Sequence, residues 1–291
     1  HRAMFRILIF LKHILLYQAF GWEPPVFAHL PLIRNPDKSK LSKRKNPTGI
    51  NYYRDSGYLP EAMSNYLGMM GYTLPDQKEI FSINDLCQTF DIKRMSLGGP
   101  IFDLAKLKWL NGRYLREKMS PEEVVNRLIK WKLNEKYFNQ ILPHALQRLE
   151  TFSDFIPLSD FLFNEHPQVS VEELVGKLEP LEVAKLLKIC EWELEKISNW
   201  ERDNIFNLFK NLSEVEGKKL KELLPLFFVA VSGKKISLPL FDSIAILGPD
   251  LVRVRIRKAL EVLSSNGLGL SKKALKIVEK EYQKKYGKRI D

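Results

Sequence analysis

Apolar residues recur at three- and four-residue intervals through most of this 291-residue chain, the spacing that gathers them on one face of an α-helix. Leu59, Met63, Tyr66, Leu67 and Met70 set the pattern for a helix over 60–70, with Gly71 as its cap. Ser82-Ile83-Asn84-Asp85 opens another, its aspartate making a weaker form of the capping box. Asp103 to Arg116 reads as a helix ending in Asn111-Gly112. Ser120-Pro121-Glu122-Glu123 and Ser170-Val171-Glu172-Glu173 both fit S-x-x-E, in which hydroxyl and carboxylate each satisfy an orphan backbone N–H. The first adds proline at the first helical position, where its missing N–H costs nothing. Each leads into a periodic series: Val124, Leu128 and Trp131 in one, Val171, Leu174 and Leu178 in the other. Residues 180–194, 200–211, 214–231 and 250–264 continue the pattern, the last with Arg253, Arg255, Arg257 and Lys258, at no fixed period that would indicate a solenoid. Residues 119–266 therefore read as all-helical, in two subdomains (about 119–166 and 167–266) parted where Pro and polar residues cluster at Asn164–Gln168.

The two ends are patterned differently. Residues 1–20 read as one helix, apolar nearly all round, which predicts burial on more than one side. Pro24-Pro25 turns the chain, and Phe27–Ile33 predicts a short strand feeding a phosphate loop. Residues 267–291 read as a solvated basic helix frayed at its end, with an amphipathic helix on RNA or membrane as the alternative. A bilayer span is not expected. Lys12 and His13 interrupt Phe5–Phe20, no small-x-small cleavage site follows it, and Leu223–Val231 is too short.

Composition narrows the class. Apolar residues make up 45% and charged residues 28%, as in ordinary globular proteins. Cys87 and Cys190 stand alone with no CxxC, which argues against a disulfide framework or a zinc ribbon and fits a reducing compartment. The net charge of +11 is uneven. Residues 1–58 carry 10 Lys/Arg against 3 Asp/Glu, residues 251–291 carry 12 against 4, and the middle carries 24 against 28. Basic ends around a mildly acidic middle suit a polyanion engaged locally.

The densest candidate chemistry is the basic run Lys40-Leu41-Ser42-Lys43-Arg44-Lys45, with Pro47 and Gly49 close behind. Lysines three apart with a hydroxyl between them place mobile ammonium charges on a polyphosphate. Phosphoryl and adenylyl chemistry needs such charge stabilisation, although short basic runs are more often solvated loops. A second candidate is the basic-aromatic series Trp109, Asn111, Arg113, Tyr114 and Arg116, whose rings and guanidinium groups suit stacking and phosphate contact with RNA. Against it stands a core role for Trp109, Leu110 and Tyr114. His29, between Ala28 and Leu30, reads as a structural histidine. No Ser/His/Asp or Cys/His set and no metal-ligand spacing is present.

Pro25-Val26-Phe27-Ala28-His29-Leu30-Pro31-Leu32-Ile33-Arg34-Asn35-Pro36-Asp37-Lys38-Ser39, running into Lys40-Leu41-Ser42-Lys43-Arg44, resembles the KMSKS segment of class I aminoacyl-tRNA synthetases, most closely the bacterial glutamyl type. Phe102–Arg116 resembles the same family's post-catalytic segment, and Phe227–Gly233 with Leu240-Phe241 and Leu247-Gly248 resembles its C-terminal end. The match runs over about residues 12–266, where Lys12–Trp22 resembles the last helix of the nucleotide-binding domain. It implies a mainly α chain: a remnant of the α/β nucleotide-binding domain at 1–58, a helical stem-contact domain at 59–118, an all-helical anticodon-binding region at 119–266 and a basic extension at 267–291.

By the same resemblance, Lys43 contacts the ATP phosphates during glutamate adenylation. Lys40, Leu41, Ser42 and Arg44 frame it, with Arg44 where many relatives have serine. The series Trp109–Arg116 lies toward the acceptor stem. Expected partners are ATP with magnesium, glutamate and tRNA-Glu, for a cytoplasmic monomer with no membrane contact and no structural zinc. His1-Arg2-Ala3 opens without methionine, Met4 is a candidate start, and the family's His-x-Gly-His motif, glutamate pocket and most of its sheet are expected upstream. The alternatives are a tRNA- or RNA-binding module without the chemistry, and a relic that binds nothing.

Overall fold

The computed structural model describes residues 2–42, 47, 49–96 and 98–287, the first nine of them in their backbone alone. Among these, α1 spans Arg2–Ala19, α2 Ile50–Asp55, α3 Pro60–Met69, α4 Ile83–Thr89 and α5 Leu104–Arg113. Then follow α6 Pro121–Trp131, α7 Glu135–Ala145, α8 Phe155–Ser159, α9 Val171–Val175 and α10 Pro180–Leu194. The last five are α11 Arg202–Val215, α12 Leu220–Ser232, α13 Leu240–Leu247, α14 Pro249–Ser265 and α15 Lys272–Tyr286. The fold is mainly α, and the only β pairing among the described residues is two isolated bridges, Arg34 with Lys40 and Arg34 with Ile101. The strand expected at Phe27–Ile33 is therefore absent: this extended segment has no neighbouring strand to pair its backbone.

Capping follows the local sequence. The boxes at Ser82/Asp85 and Ser120/Glu123 close in both directions, the second with Pro121 at the first position. At Ser170 only half forms, because the Ser170 hydroxyl accepts from Glu173 N while the Glu173 carboxylate lies 3.6 Å from Lys235. Gly71 is not the cap of α3; Met70 is. Gly112 does not end α5 either. The helix runs on to Arg113 and into a π turn over Tyr114–Lys118. A Cβ on Gly112 would come 2.8 Å from Arg116 Nη1, the movable end of an exposed side chain, so nothing there requires glycine to turn the chain. Gly233 is the opposite case: it ends α12 at φ +72°, and a Cβ would strike Gln168 O.

The buried residues form one continuous cluster from Tyr52 to Tyr282, with α14 packed along α10 and against α12 and α2. A satellite of Tyr72, Leu74 and Phe81 lies beneath α3 and α4. Two cations sit inside. Arg255 shares the inward stripe of α14 with Val252, Ile256 and Ala259, and its guanidinium donates to Val231 O at 2.6 Å, to Phe161 O at 2.7 Å and to Asn164 O. Lys132 Nζ donates to Leu162 O at 2.9 Å, between the rings of Trp131 and Tyr137. Burial lowers Lys132 to about 8 and Arg255 to about 10, since a desolvated site disfavours the charged form. The segment 161–165 is thus tied by α14 and the end of α6, and Tyr52 of α2 donates to Glu165 Oε1 at 2.6 Å.

Both ends of the chain depart from expectation. The α1 side chains from residue 11 onward are not buried: Leu11, Leu15, Leu16 and Phe20 are exposed, because no other helix lies over them among the described residues. Conversely, α15 is docked rather than free, with Val278 and Tyr282 buried in the core. The tail therefore belongs to the fold through Tyr286.

Candidate nucleotide loop and RNA-facing surface

The segment before the lysine run is a tight hairpin. Asn35-Pro36-Asp37-Lys38 turns the chain, with Lys38 at φ +60° and Asp37 Oδ1 accepting from Ser39 N at 2.9 Å. Leu41 N donates to Ile33 O at 3.1 Å and Asn35 N to Ser39 O at 2.8 Å. The buried Asn35 amide donates to Ser39 Oγ at 2.9 Å. The hairpin is pinned to the stretch before α5: Arg34 N donates to Pro100 O at 2.9 Å, and Phe102 N to Arg34 O at 2.8 Å. Lys40 is exposed, while Leu41 and Ser42 are half-buried. Lys43 and Arg44, with Lys45, Asn46 and Thr48, lie outside the described residues. On the far side, Tyr53 OH donates to Pro47 O at 2.7 Å. Both flanks of the lysine run are thereby anchored, one on the lead-in to α5 and the other on α2.

His29 is exposed.

The basic-aromatic series divides by face. Asn111 and Tyr114 are buried, and their polar atoms are committed internally. Asn111 Oδ1 accepts from Leu59 N at 2.8 Å, and Tyr114 OH donates to Phe81 O and to Asn65 Oδ1, each at 2.9 Å. Trp109 and Arg116 are exposed, and the Arg113 guanidinium lies 5.2 Å from the Trp109 ring centre. Arg113 also holds Glu117 in a bidentate pair at 2.8 and 2.7 Å, which keeps the Glu117 carboxyl below the usual carboxylate range. The outward set is thus a Trp/Arg stack with Arg116 beside it, carried on a helix whose inner face is fixed by Asn111 and Tyr114.

The basic count of residues 251–291 includes Arg255 and Arg257. Arg255 is internal, and Arg257 is engaged with Glu191 at 2.6 Å and Glu195 at 3.4 Å. The signal was available, since Arg255 falls on the apolar stripe of α14. A further concavity of about 680 Å³ lies between α7 and α8, walled by Leu142, Leu146, Phe155 and Ile156, with no catalytic side-chain set on it. Among the described residues no three His, Cys, Asp or Glu side chains gather as a metal-holding group, and no helix is long and apolar enough to cross a membrane.

The family described as tRNA synthetases class I (E and Q), catalytic domain, matches residues 10–109, and an anticodon binding domain matches residues 122–260. Over residues 10–109 the chain is thus similar to the class I tRNA synthetases of this E and Q group. Within it the resemblance is to glutamate–tRNA ligases: that of Saccharophagus degradans is 49% identical over 272 residues, 93% of this chain and 53% of that protein. The Marinomonas sp. (strain MWYL1) enzyme is 48% identical, over 93% of this chain and 54% of its own length. The chain therefore spans about half the length of the curated relatives it matches. The glutamate tRNA ligase of Elizabethkingia meningosepticum, solved in complex with its amino acid, is 27% identical and superposes with a TM-score of 0.42, covering 88% of this chain and 55% of that one.

Proposed function

We propose that this chain is the loop-bearing and tRNA-holding part of a glutamate–tRNA ligase, an enzyme that activates glutamate with ATP as an adenylate and transfers it to tRNA-Glu. The observation that carries this reading is the identity of nearly one residue in two with such ligases over almost the whole chain. The anchored lysine run supports it. Its flanks are held on α2 and on the lead-in to α5, with Lys40 exposed and Ser42 half-buried at the near end. Lys43 is assigned to the ATP phosphates, where an ammonium stabilises charge and transfers no proton. Magnesium arrives on ATP as part of the substrate. Trp109, Arg113 and Arg116 are assigned to RNA, and Asn111 and Tyr114 hold them in place. We assign the protein to the cytoplasm, as a monomer.

Adenylation requires the amino-acid pocket and both phosphate-binding motifs in one place, because proximity supplies much of the rate. The exposed apolar residues of α1 and of 26–32 form the surface on which the nucleotide domain of the whole enzyme would continue. The chain by itself is therefore expected to bind tRNA without forming glutamyl-adenylate. ATP–pyrophosphate exchange with glutamate tests the second half: turnover near that of a full-length synthetase contradicts it. Filter binding with tRNA-Glu against an unrelated tRNA tests the first. Equal binding to both, with a steep salt slope, favours a generic RNA-binding module, and no saturable binding favours a relic.

A further inference from the structure

The two faces of α15 have separate roles. Its inner face is committed to α10. Tyr282 packs edge-on against Trp192 at 4.8 Å between ring centres and donates to Glu193 Oε1 at 2.6 Å, and Lys196 Nζ donates to Tyr286 O at 2.9 Å. The flanks are tied as well, Glu281 to Lys185 at 3.2 Å and Lys285 to Glu216 at 3.1 Å. The outer face holds Lys272, Lys276, Lys280 and Lys284, one every fourth residue, with Lys273 beside them, all exposed. Among the described residues none of these five has a carboxylate within ion-pair distance. At about 1.5 Å rise per residue the four form a row roughly 18 Å long with steps of about 6 Å.

We propose that this row is a phosphate-contacting surface for RNA, extending the tRNA contact of the ligase reading, on which it rests, beyond residue 260, where the family match ends. Like charges at four-residue spacing repel along a helix, and a polyanion laid along the row turns that repulsion into attraction with release of counterions. Among the described residues of 251–291, Arg255 is internal and Arg253, Arg257 and Lys258 are paired with Asp250, Glu191 and Glu261, so the unpaired outward charge is that of α15. A lipid surface fits less well. A helix lying on a bilayer inserts its apolar face, and here Val278 and Tyr282 are spent on the core, which leaves only Ile277 exposed beside the lysines. Lysines without an interleaved ring or arginine act as point charges on phosphates and read no bases. The contact is therefore sequence-independent.

The test is binding of the whole chain to unfractionated tRNA from about 50 to 200 mM KCl, compared with a variant carrying Lys272→Gln, Lys276→Gln, Lys280→Gln and Lys284→Gln. The variant is expected to bind about tenfold or more weakly at the low-salt end, with a log–log salt slope shallower by roughly two to three. Its circular dichroism should be unchanged and its melting temperature no lower, because every altered side chain is exposed and the like-charge repulsion is relieved. Arginine at the same four positions should restore both affinity and slope. Wild-type affinity and slope in the glutamine variant would overturn the inference and leave the ligase reading standing. Failure of the unaltered chain to bind tRNA would overturn both. Loss of binding to phosphatidylserine vesicles, with tRNA binding intact, would also overturn it and assign the row to membrane.

Discussion

Leu15 and Leu223 are the same residue type in the same kind of element, yet the first is 62% exposed and the second fully buried. The contrast extends to their regions. From α2 onward the long helices other than α6 contribute to one cluster, which even encloses Lys132 and Arg255. From residue 11 to 32, Leu11, Leu16, Phe20, Trp22, Val26 and Leu30 stand in solvent. Hydrophobic sequence is thus a demand for cover, which the later region meets for most of its helices, though Leu146, Phe152 and Ile156 stay exposed.

The largest expected effect in the self-sufficient region is Arg255→Ala, which strands three carbonyl acceptors and leaves a cavity. A loss of about 3 to 5 kcal/mol in urea unfolding is expected, up to failure to fold. Leu223→Ala should cost about 2 to 5 kcal/mol by the same measurement, whereas Leu15→Ala should lie within about 0.5 kcal/mol. Equal costs at the two leucines would erase the contrast.

A pH series sharpens it. Lys132 is lowered to about 8 by burial, so from there up to the ordinary lysine range the unfolded chain holds a proton that the fold has released. Stability should therefore rise with pH above about 8, by on the order of 1 to 3 kcal/mol. It should fall again above about pH 10, where the unfolded chain loses tyrosine protons that Tyr52, Tyr53 and Tyr137 retain, their hydroxyls being raised chiefly by burial. Lys132→Met should abolish the rise, and a flat profile in the unaltered chain would contradict the account. Smallest is Ser120→Ala, about 1 kcal/mol from the lost cap of α6, read as a lowered urea midpoint.

Much of the later region was legible because its signals are local. Ser82/Asp85 and Ser120/Glu123 satisfy backbone donors within one turn, and the periodicity of 180–194 and 250–264 places α10 and α14 within a residue of where they fall. The loop that carries the proposed chemistry was legible only as a pattern of charge. Its hairpin depends on Asn35 turning inward and on Arg34 pairing with Pro100 and Phe102, far along the chain. Asn111 and Tyr114 read as candidates for RNA because composition does not say which way a helix faces. Arg255 counted toward the basic end with the rest of 251–291, because a charge total does not say which side chains turn inward.

Sequence alone determined the helical class, the caps at Ser82 and Ser120, the basic run at Lys40–Lys45 and the family resemblance, because these rest on neighbours within a few residues or on a text of motifs. Tertiary structure alone decided which apolar helix would be covered, which cations would be drawn inside, and that α15 would turn its tyrosines inward and its lysines out. Those outcomes depend on partners distant in the chain, and the free energy of burial belongs to the pair of surfaces rather than to either sequence segment.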